Sequence, residues 1–291
     1  MSIDPRYRQQ TEPPSPVAVE QAKNELRETP ELVQSSLAEL RKLLDEDATL
    51  HFKTDDDTLL IFLRPCKFYA QSAYELMKRA ADFKVKYAST IKDLMPDDEK
   101  ATLLDHKIVN VLANRDQHGR RVLIANLGSC WDTKNISGDQ VFRLFYMIHI
   151  LAMGEPETQI RGVVVILDFD GLGMKQVAQL TPSFSMRLLS FIQEAMPLRL
   201  KEVHIVRQPF IFNVVWKVFS PFIQQKLKGR IHFHGSKYKD LHAMMGKEQL
   251  PGEYGGDLAK LDYSSKDWYP TLKACESQIR EWNTWGRKES T

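Results

Sequence analysis

The sequence has few cysteines, and their spacing excludes two kinds of site. Cys66, Cys130 and Cys275 lie far apart and form no Cys-x-x-Cys pair. Because a structural zinc site needs close pairs and a disulfide framework needs an even set, the sequence predicts neither. Isolated thiols of this kind are typical of proteins in the reducing cytosol.

Long apolar runs are also missing. No stretch reaches the roughly 18 consecutive apolar residues of a membrane-spanning helix. The first 16 residues, which would be apolar in a signal peptide, are polar and rich in proline. We therefore expect a soluble, intracellular protein.

Neither sign of charge is in excess. The chain has 40 lysines and arginines against 38 aspartates and glutamates, which gives a net charge of +2 over 291 residues. This balance argues against a general binder of nucleic acid, so any attraction to polyanions or anionic membranes must come from a local cluster. A hydrophobic content of 43% is normal for a globular protein of one large or two modest domains.

Catalytic and metal-binding motifs are incomplete. The apolar run 164–167 followed by Asp168 and Asp170 is similar to the first motif of haloacid-dehalogenase-type phosphatases, where the carboxylates act as nucleophile and acid/base beside magnesium. Leu172 stands where that motif has threonine or valine, and no downstream pair of aspartates completes it. His232 and His234 could present two imidazoles to a metal, but no third ligand has a suitable spacing. We predict no catalysis, no metal and no cofactor.

The pattern of apolar residues divides the chain into a helical part and a mixed part. Residues 1–18 predict a flexible tail, and residues 20–95 predict helices near 30–44, 59–63 and 70–87. After about residue 105, strands alternate with helices, which favours an α/β fold with a largely parallel sheet. The predicted strands are 121–125, 163–167, 203–206 and 230–233, and the predicted helices between them are 138–153, 181–195 and 209–228.

The predicted helix at 141–153 is apolar almost all round, whereas an ordinary helix on a sheet has a charged outer face. It therefore needs a second apolar neighbour. Burial between the sheet and another helix would supply one. A cavity along one face would supply one too, and there Tyr146 and His149 could bind the polar end of a ligand. Periodicity leaves both interpretations open. It also leaves open that His149 is an ordinary core histidine whose hydrogen bonds are made within the protein.

The segment 209–223 is apolar on both faces as well. Pro209 suits the first turn of a helix, and Pro221 limits its length. Twelve residues rise about 18 Å, which is short of the roughly 30 Å core of a bilayer. Such a helix is typical of a lid that covers an internal ligand and touches a membrane, and equally of a plain buried helix.

Four basic residues lie near this segment. Arg199 and Lys201 are two apart, so on a strand they point the same way. Lys226 and Arg230 are four apart and share a face if helical. Near a membrane each such cation contributes about 1 kcal/mol of attraction to anionic headgroups. An ordinary solvated surface is the alternative.

Six short motifs follow one another over about residues 25–260. They are DDTLLIFLRPCKF at 56–68, DQHG at 116–119, ETQIRG at 157–162, QPF at 208–210, RIHFHG at 230–235 and LPGEYGG at 250–256. Each motif is weak alone, but their order and spacing are highly specific. Together they resemble the CRAL-TRIO lipid-transfer family, most closely its branch of α-tocopherol transfer protein, cellular retinaldehyde-binding protein and clavesin.

The resemblance implies a helical domain at 19–95, a CRAL-TRIO α/β domain at 96–262 with a lipid pocket and a mobile gate helix, and a helical C-terminal tail at 263–291. Matching to the family gives as pocket positions Phe142, Phe145, Tyr146, His149, Met153, Val163, Leu167, Leu180, Leu188, Phe191, Ile192 and Val203, and as gate positions Phe210, Phe212, Val215, Trp216 and Phe219. At the positions of Phe145 and His149, the tocopherol carrier has small hydroxyl residues. This difference shrinks and repolarises the pocket, which argues against tocopherol (vitamin E) among the ligands that the resemblance implies and leaves a retinoid, a carotenoid or another isoprenoid open.

The resemblance also implies docking on phosphatidylinositol bisphosphates. In the α-tocopherol transfer protein branch, basic residues beside the gate bind these lipids, and the matching positions here are Arg199, Lys201, Lys226 and Arg230. A further basic position of that site falls on Cys66. The implied function is a non-catalytic, monomeric carrier in the cytoplasm, transiently peripheral on membranes, that moves one hydrophobic lipid between them. The alternative is a phosphoinositide-dependent trafficking adaptor whose pocket is structural or sensory.

Overall fold

The computed structural model describes residues 3–288, and within them no helix combines the length and apolar character needed to cross a membrane. The helices are α1 (Pro16–Leu26), α2 (Pro30–Asp45), α3 (Asp56–Leu63), α4 (Ala70–Lys86), α5 (Ala88–Ile91), α6 (Lys100–Asp105), α7 (Gly138–Met153), α8 (Pro156–Arg161), α9 (Met174–Gln179), α10 (Pro182–Ser190), α11 (Phe212–Phe219), α12 (Gln225–Lys228), α13 (Lys239–Met244), α14 (Ser265–Ala274) and α15 (Glu276–Thr284). The strands are β1 (Leu50–His51), β2 (Val109–Val111), β3 (Arg121–Asn126), β4 (Val163–Asp168), β5 (Leu200–Val206), β6 (Ile231–Gly235) and β7 (Gly286–Arg287).

Side-chain caps set the starts of the first helices. Ser15, Thr29 and Asp55 each accept a hydrogen bond from a backbone N–H in the first turn of α1, α2 and α3. Proline opens α1 and α2, where its missing N–H removes no helical hydrogen bond. Helices α2 and α3 lie where the sequence predicts helices, whereas α1 is an additional helix that begins inside the predicted tail.

The central sheet has the strand order β2-β3-β4-β5-β6, with β2 antiparallel to β3 and the other neighbours parallel. Residues 163–166 of β4 are all buried, as expected for a parallel strand covered on both faces. Gly162 turns the chain from α8 into β4 with a φ of 87°. A Cβ at this glycine would lie 2.3 Å from the carbonyl oxygen of Arg199, so only glycine fits.

Alternation along the strands gives the sheet two different faces. One face, which includes Val165 and Val203, packs in the large core formed with α7, α10 and α11. The other, which we call the far face, packs in a separate core of Leu112, Val122, Ile124, Val164, Ile166, Val206, Leu241, Met245, Leu250 and Tyr254.

The predicted α/β fold with a helical N-terminal region is confirmed, and all four predicted strands are present. The segment 209–228 differs from the single helix that the sequence predicts. Helix α11 ends at Phe219, a 3₁₀ turn follows at Ser220–Phe222, and α12 begins at Gln225. Pro221 explains the break, because it has no N–H to continue the α-helical ladder.

The described part of the predicted N-terminal tail is packed against the body. Tyr7 is only 2% exposed, and its ring centroid lies 4.9 Å from that of Tyr263 and 5.4 Å from that of Trp268. The composition of this segment does not reveal that one aromatic residue anchors it. Residues 1–2 of the tail, and 289–291 of the predicted C-terminal tail, lie outside the described residues.

A two-stranded sheet joins the last described strand to the N-terminal helical region. Strand β1 pairs antiparallel with β7, with Leu50 opposite Arg287. The preceding helix, α15, contributes Trp282, whose indole N–H donates to the Tyr146 hydroxyl of α7 at 2.8 Å. The helices after residue 263 are therefore part of the core.

A buried ion-pair network links the N-terminal segment to the sheet. Glu155 is 4% exposed and accepts hydrogen bonds from Arg121 at 2.6 and 2.9 Å and from Arg115 at 3.0 Å. The backbone N–H of Gln10 donates to the same carboxylate at 2.9 Å. Burial alone would raise the pKa of Glu155, but the hydrogen bond from Arg121 and the two guanidinium charges lower it.

Replacing Glu155 by alanine leaves two guanidinium groups without their carboxylate in a buried setting. We expect Glu155→Ala to lower the free energy of unfolding by about 3 kcal/mol at neutral pH, measured by urea denaturation. Because folding lowers the pKa of Glu155, its contribution is present above the unfolded pKa of about 4.3 and declines as the pH falls below it.

The control is Glu46→Ala, which removes an exposed partner 3.9 Å from Lys42 and should change the free energy of unfolding by less than about 0.5 kcal/mol. A difference between wild type and Glu155→Ala that widened as the pH fell would contradict the assigned role.

Candidate ligand-binding cavity

An apolar cavity of about 110 Å³ lies between the sheet and helices α7, α10 and α11, and we call it the main cavity. Its lining residues are Leu127, Phe145, His149, Val165, Leu167, Phe169, Leu180, Phe184, Leu188, Leu189, Ile192, Met196, Leu200, Val203, Ile205, Phe212, Val215, Trp216, Phe219, Ile223, Leu227 and Ile231. Only His149 and Trp216 among them carry a side-chain nitrogen or oxygen. Such a lining suits a ligand that is almost wholly hydrocarbon.

A second cavity of about 60 Å³ lies between the sheet, α7 and α14. His149 and Val165 line both cavities and so form part of their shared wall. The second cavity is also mostly apolar, but Arg121 and Glu155 of the buried ion-pair network reach its edge.

His149 lies on α7 and is only 6% exposed. Its Nδ1 donates a hydrogen bond to the carbonyl oxygen of Phe145, one turn earlier. The ring is edge-on to Phe191 at a centroid distance of 5.5 Å. Burial lowers the pKa of His149 to about 4, against the smaller opposing effect of the Phe145 carbonyl, so the imidazole is neutral at physiological pH.

Helix α11 covers part of the main cavity. Phe212 and Val215 are its buried residues, and Phe212 packs on Phe169 with a centroid distance of 4.7 Å. Trp216 meets Phe233 of β6 edge-on at 4.9 Å. The helix therefore contacts the rest of the protein mainly through aromatic and aliphatic side chains.

The outer surface around α11 carries several exposed apolar side chains. Phe210, just before the helix, is 91% exposed, and Val214, Phe222 and Phe233 are exposed beside it. Single exposed apolar residues are common, but this group is contiguous with the cover of a cavity.

The structure distributes the sequence-predicted pocket residues over three locations. Those that line the main cavity are Phe145, His149, Leu167, Leu180, Leu188, Ile192 and Val203, with the gate positions Phe212, Val215, Trp216 and Phe219. Val163 lines the second cavity. Phe142, Tyr146, Met153 and Phe191 are buried in the core beside the main cavity, and Phe210 faces outward.

Phe142, Tyr146 and Phe191 form an aromatic cluster with Phe83 of α4. Phe142 lies 6.2 Å from Phe83 and 5.9 Å from Phe191, and Tyr146 lies 5.3 Å from Phe191. The Tyr146 hydroxyl already accepts the hydrogen bond from Trp282. These side chains support the wall of the main cavity from behind.

Sequence reasoning missed eleven lining residues on strands, helices and the segments that follow them, namely Leu127, Val165, Phe169, Phe184, Leu189, Met196, Leu200, Ile205, Ile223, Leu227 and Ile231. A usable signal existed on the strands. Val165 and Leu167 are two apart on β4, as are Val203 and Ile205 on β5, and alternate residues of a strand share a face.

The four predicted headgroup-binding residues have different surroundings. Arg199 and Lys201 both bind the carboxylate of Glu25 from α1, at 2.7 and 3.3 Å. Arg230 donates to the carbonyl oxygen of Leu200. Lys226 is exposed on α12, and no carboxylate in the part of the chain that the structure describes forms an ion pair with it.

Glu25 is held as a carboxylate by these two cations. Burial would raise its pKa, but the hydrogen bond from Arg199 and the charge of Lys201, with help from Gln21, lower the pKa to about 2. The two cations thus share one carboxylate, which offsets one of their two positive charges.

The Asp168–Asp170 pair is engaged in structural contacts. Asp168 accepts hydrogen bonds from the Arg207 guanidinium, at 2.9 Å to Nε, and from the Tyr254 hydroxyl at 3.1 Å. Arg207 also binds Asp170 at 3.1 Å. A carboxylate held in this way is not presented as a nucleophile, which favours a structural role over the phosphatase interpretation.

The His-x-His pair lies on β6 beside a third histidine. Nδ1 of His204 and Nε2 of His234 are 2.9 Å apart, and the His204 ring lies 5.6 Å from that of His232. Over residues 3–288, no group of three or more histidine, cysteine, aspartate or glutamate side chains has the arrangement of a metal site.

The chain is similar to known proteins over a span that includes most of the residues lining the main cavity. The model of the CRAL/TRIO domain matches residues 105–256. Clavesin-1 of Pongo abelii is 31% identical over 261 residues, which are 89% of this chain and 73% of that protein. Clavesin-2 of Homo sapiens is 30% identical over 89% of this chain and 79% of its own length. The crystal structure of Sfh5 aligns with a TM-score of 0.49 and 12% identity, covering 90% of this chain and 98% of the other.

Adjacent valines on β4 offer a test of the main cavity. Val165 faces it, whereas Val164 points into the packed far face. We expect Val165→Phe to change the free energy of unfolding by less than about 1 kcal/mol, because the larger ring enters the cavity. Val164→Phe should lose about 1–3 kcal/mol through overpacking. Urea denaturation of both variants measures the difference, and equal losses would speak against the cavity.

Proposed function

Because the chain belongs to the CRAL/TRIO family of lipid-binding and lipid-transfer proteins, we propose that it binds one small hydrophobic lipid in the main cavity and carries it between membranes. The observation that carries this proposal is the main cavity itself, with its apolar lining and its cover by α11. The proposed carrier performs no catalysis and works as a monomer in the cytoplasm, with transient binding to membranes.

Apolar burial supplies the driving force. Enclosing some 400 Å² of apolar ligand surface at about 25 cal/mol per Å² is worth roughly 10 kcal/mol before the entropic cost of association. The main cavity of about 110 Å³ is smaller than the roughly 300–1,000 Å³ of pockets that enclose drug-sized ligands. A tocopherol, retinoid or carotenoid would therefore have to displace part of the wall.

Helix α11 is the part of the wall best suited to move. It is short, with eight residues, and it is followed directly by the 3₁₀ turn that contains Pro221. Its contacts with the body are mainly apolar, and the exposed group around Phe210 would find equivalent contacts in the acyl region of a membrane. Opening at a membrane surface would thus exchange one apolar environment for another.

Basic residues next to α11 support docking on phosphatidylinositol bisphosphates. Lys226 and Lys228 are exposed on α12, close in sequence to the exposed Phe222. Arg199 and Lys201 can join them only if an anionic headgroup competes with Glu25, which binds both in the described structure. Each cation that gains a headgroup contributes about 1 kcal/mol.

The bound lipid can be identified directly. Purified full-length protein extracted with organic solvent should yield about one hydrophobic lipid per chain by mass spectrometry. The cavity-filling variant Val165→Phe, prepared in the same way, should yield much less. Absence of lipid from the wild type, together with failure to take up any lipid from vesicles, would favour the trafficking adaptor.

Two substitutions with opposite expected effects on the affinity for vesicles test the docking residues. With vesicles that contain phosphatidylinositol bisphosphate, Glu25→Gln should raise the affinity about fivefold by releasing Arg199 and Lys201, and Lys226→Ala should lower it about fivefold. Vesicle co-sedimentation at fixed ionic strength measures both. Lys239→Ala is the control, since α13 packs on the far face of the sheet.

Phosphatidylserine vesicles of the same total charge show whether the headgroup matters. Equal affinity for the two vesicle types would reject phosphoinositide docking, and no response to Glu25→Gln would show that Glu25 does not compete with lipid.

A further inference from the structure

The main cavity offers a ligand very few polar atoms. Of its lining side chains, only the His149 imidazole and the Trp216 indole contain nitrogen, and none contains oxygen. The indole N–H can only donate a hydrogen bond. Among the lining side chains, only the imidazole of His149 can therefore offer a nitrogen or oxygen acceptor to a polar group of a bound lipid.

The hydrogen bonding of His149 fixes which of its nitrogens is protonated. Nδ1 faces the carbonyl oxygen of Phe145, and a carbonyl oxygen can only accept, so Nδ1 carries the proton. A neutral imidazole has a single N–H. Nε2 of His149 is therefore an acceptor, and no donor in residues 3–288 forms a hydrogen bond with it.

This acceptor lies on a side chain that lines both cavities and is 6% exposed. Phe145 and Phe191 pack on its ring, with centroid distances of 6.3 and 5.5 Å, and hold it in place. An acceptor that has no donor within the protein is left unmatched when an apolar molecule fills the space beside it, and a ligand that supplies a donor matches it.

We propose that the main cavity selects a lipid with a hydroxyl group, an alcohol or a phenol, whose O–H donates to Nε2 of His149. The inference rests on the proposed function and narrows its ligand class. Aldehydes, esters and methyl ethers of the same skeleton bring only acceptors and leave Nε2 unmatched. Pure hydrocarbons such as carotenes leave it unmatched as well.

The test uses matched pairs of lipids. All-trans-retinol, geranylgeraniol and α-tocopherol are each mixed with their own methyl ether in neutral vesicles, and the full-length protein is equilibrated with them. Mass spectrometry of the recovered protein gives the ratio of alcohol to ether. For the skeleton that binds, we expect enrichment of the alcohol by at least about tenfold, which corresponds to 1.4 kcal/mol.

Variants of His149 assign this preference to the imidazole. His149→Phe keeps an aromatic ring but has no acceptor, so it should still take up lipid and bind alcohol and ether about equally. His149→Gln restores an acceptor and should recover part of the preference. A thermal unfolding curve for each variant shows whether it is folded.

Each outcome bears on one of the two proposals. Equal uptake of alcohol and ether by the wild type, or a preference that survives in His149→Phe, would overturn the assignment. Stronger uptake of retinoic acid than of retinol would overturn it too, since it would point to Arg121 in the second cavity. If no lipid of any skeleton enters the wild type, the carrier function itself fails and the inference falls with it.

Discussion

Helix α7 is apolar almost all round after Arg143, and much of the molecule packs around it. On one side Phe142 and Tyr146 pack against aromatic residues of α4 and α15. On the other side Phe145 and His149 line a cavity. Side chains that border a void lack dispersion contacts that a packed neighbour would provide. The arrangement therefore leaves stabilisation that a hydrocarbon guest can supply, and the binding capacity follows from an incompletely packed core.

The sequence predicts those parts of the fold that have a repeating pattern. The β-branched run predicts β4, and the three- and four-residue spacing predicts α2 and α4, with bounds close to those in the structure. Strands β1, β2 and β7, of two or three residues each, are too short for a period. The anchoring of Tyr7 depends on Tyr263 and Trp268, which are remote in sequence, so no local pattern could reveal it.

The site was predictable as a region, but less so residue by residue. Phe142 and Tyr146 are one helical turn apart, as are Phe145 and His149, and an all-apolar helix does not show which pair faces the ligand. The distinction depends on Trp282, which binds Tyr146 from α15. In the same way the basic positions are visible in the sequence, but Glu25, whose carboxylate pairs with two of them, belongs to a distant helix.

The pairing of β1 with β7 has a mechanical consequence. It fastens the segment after α15 to the N-terminal helical region, and α15 is in turn fixed to α7 through Trp282. One continuous connection, from β1 through β7 and α15 to α7, therefore braces the N-terminal helical region against the helix that lines the main cavity.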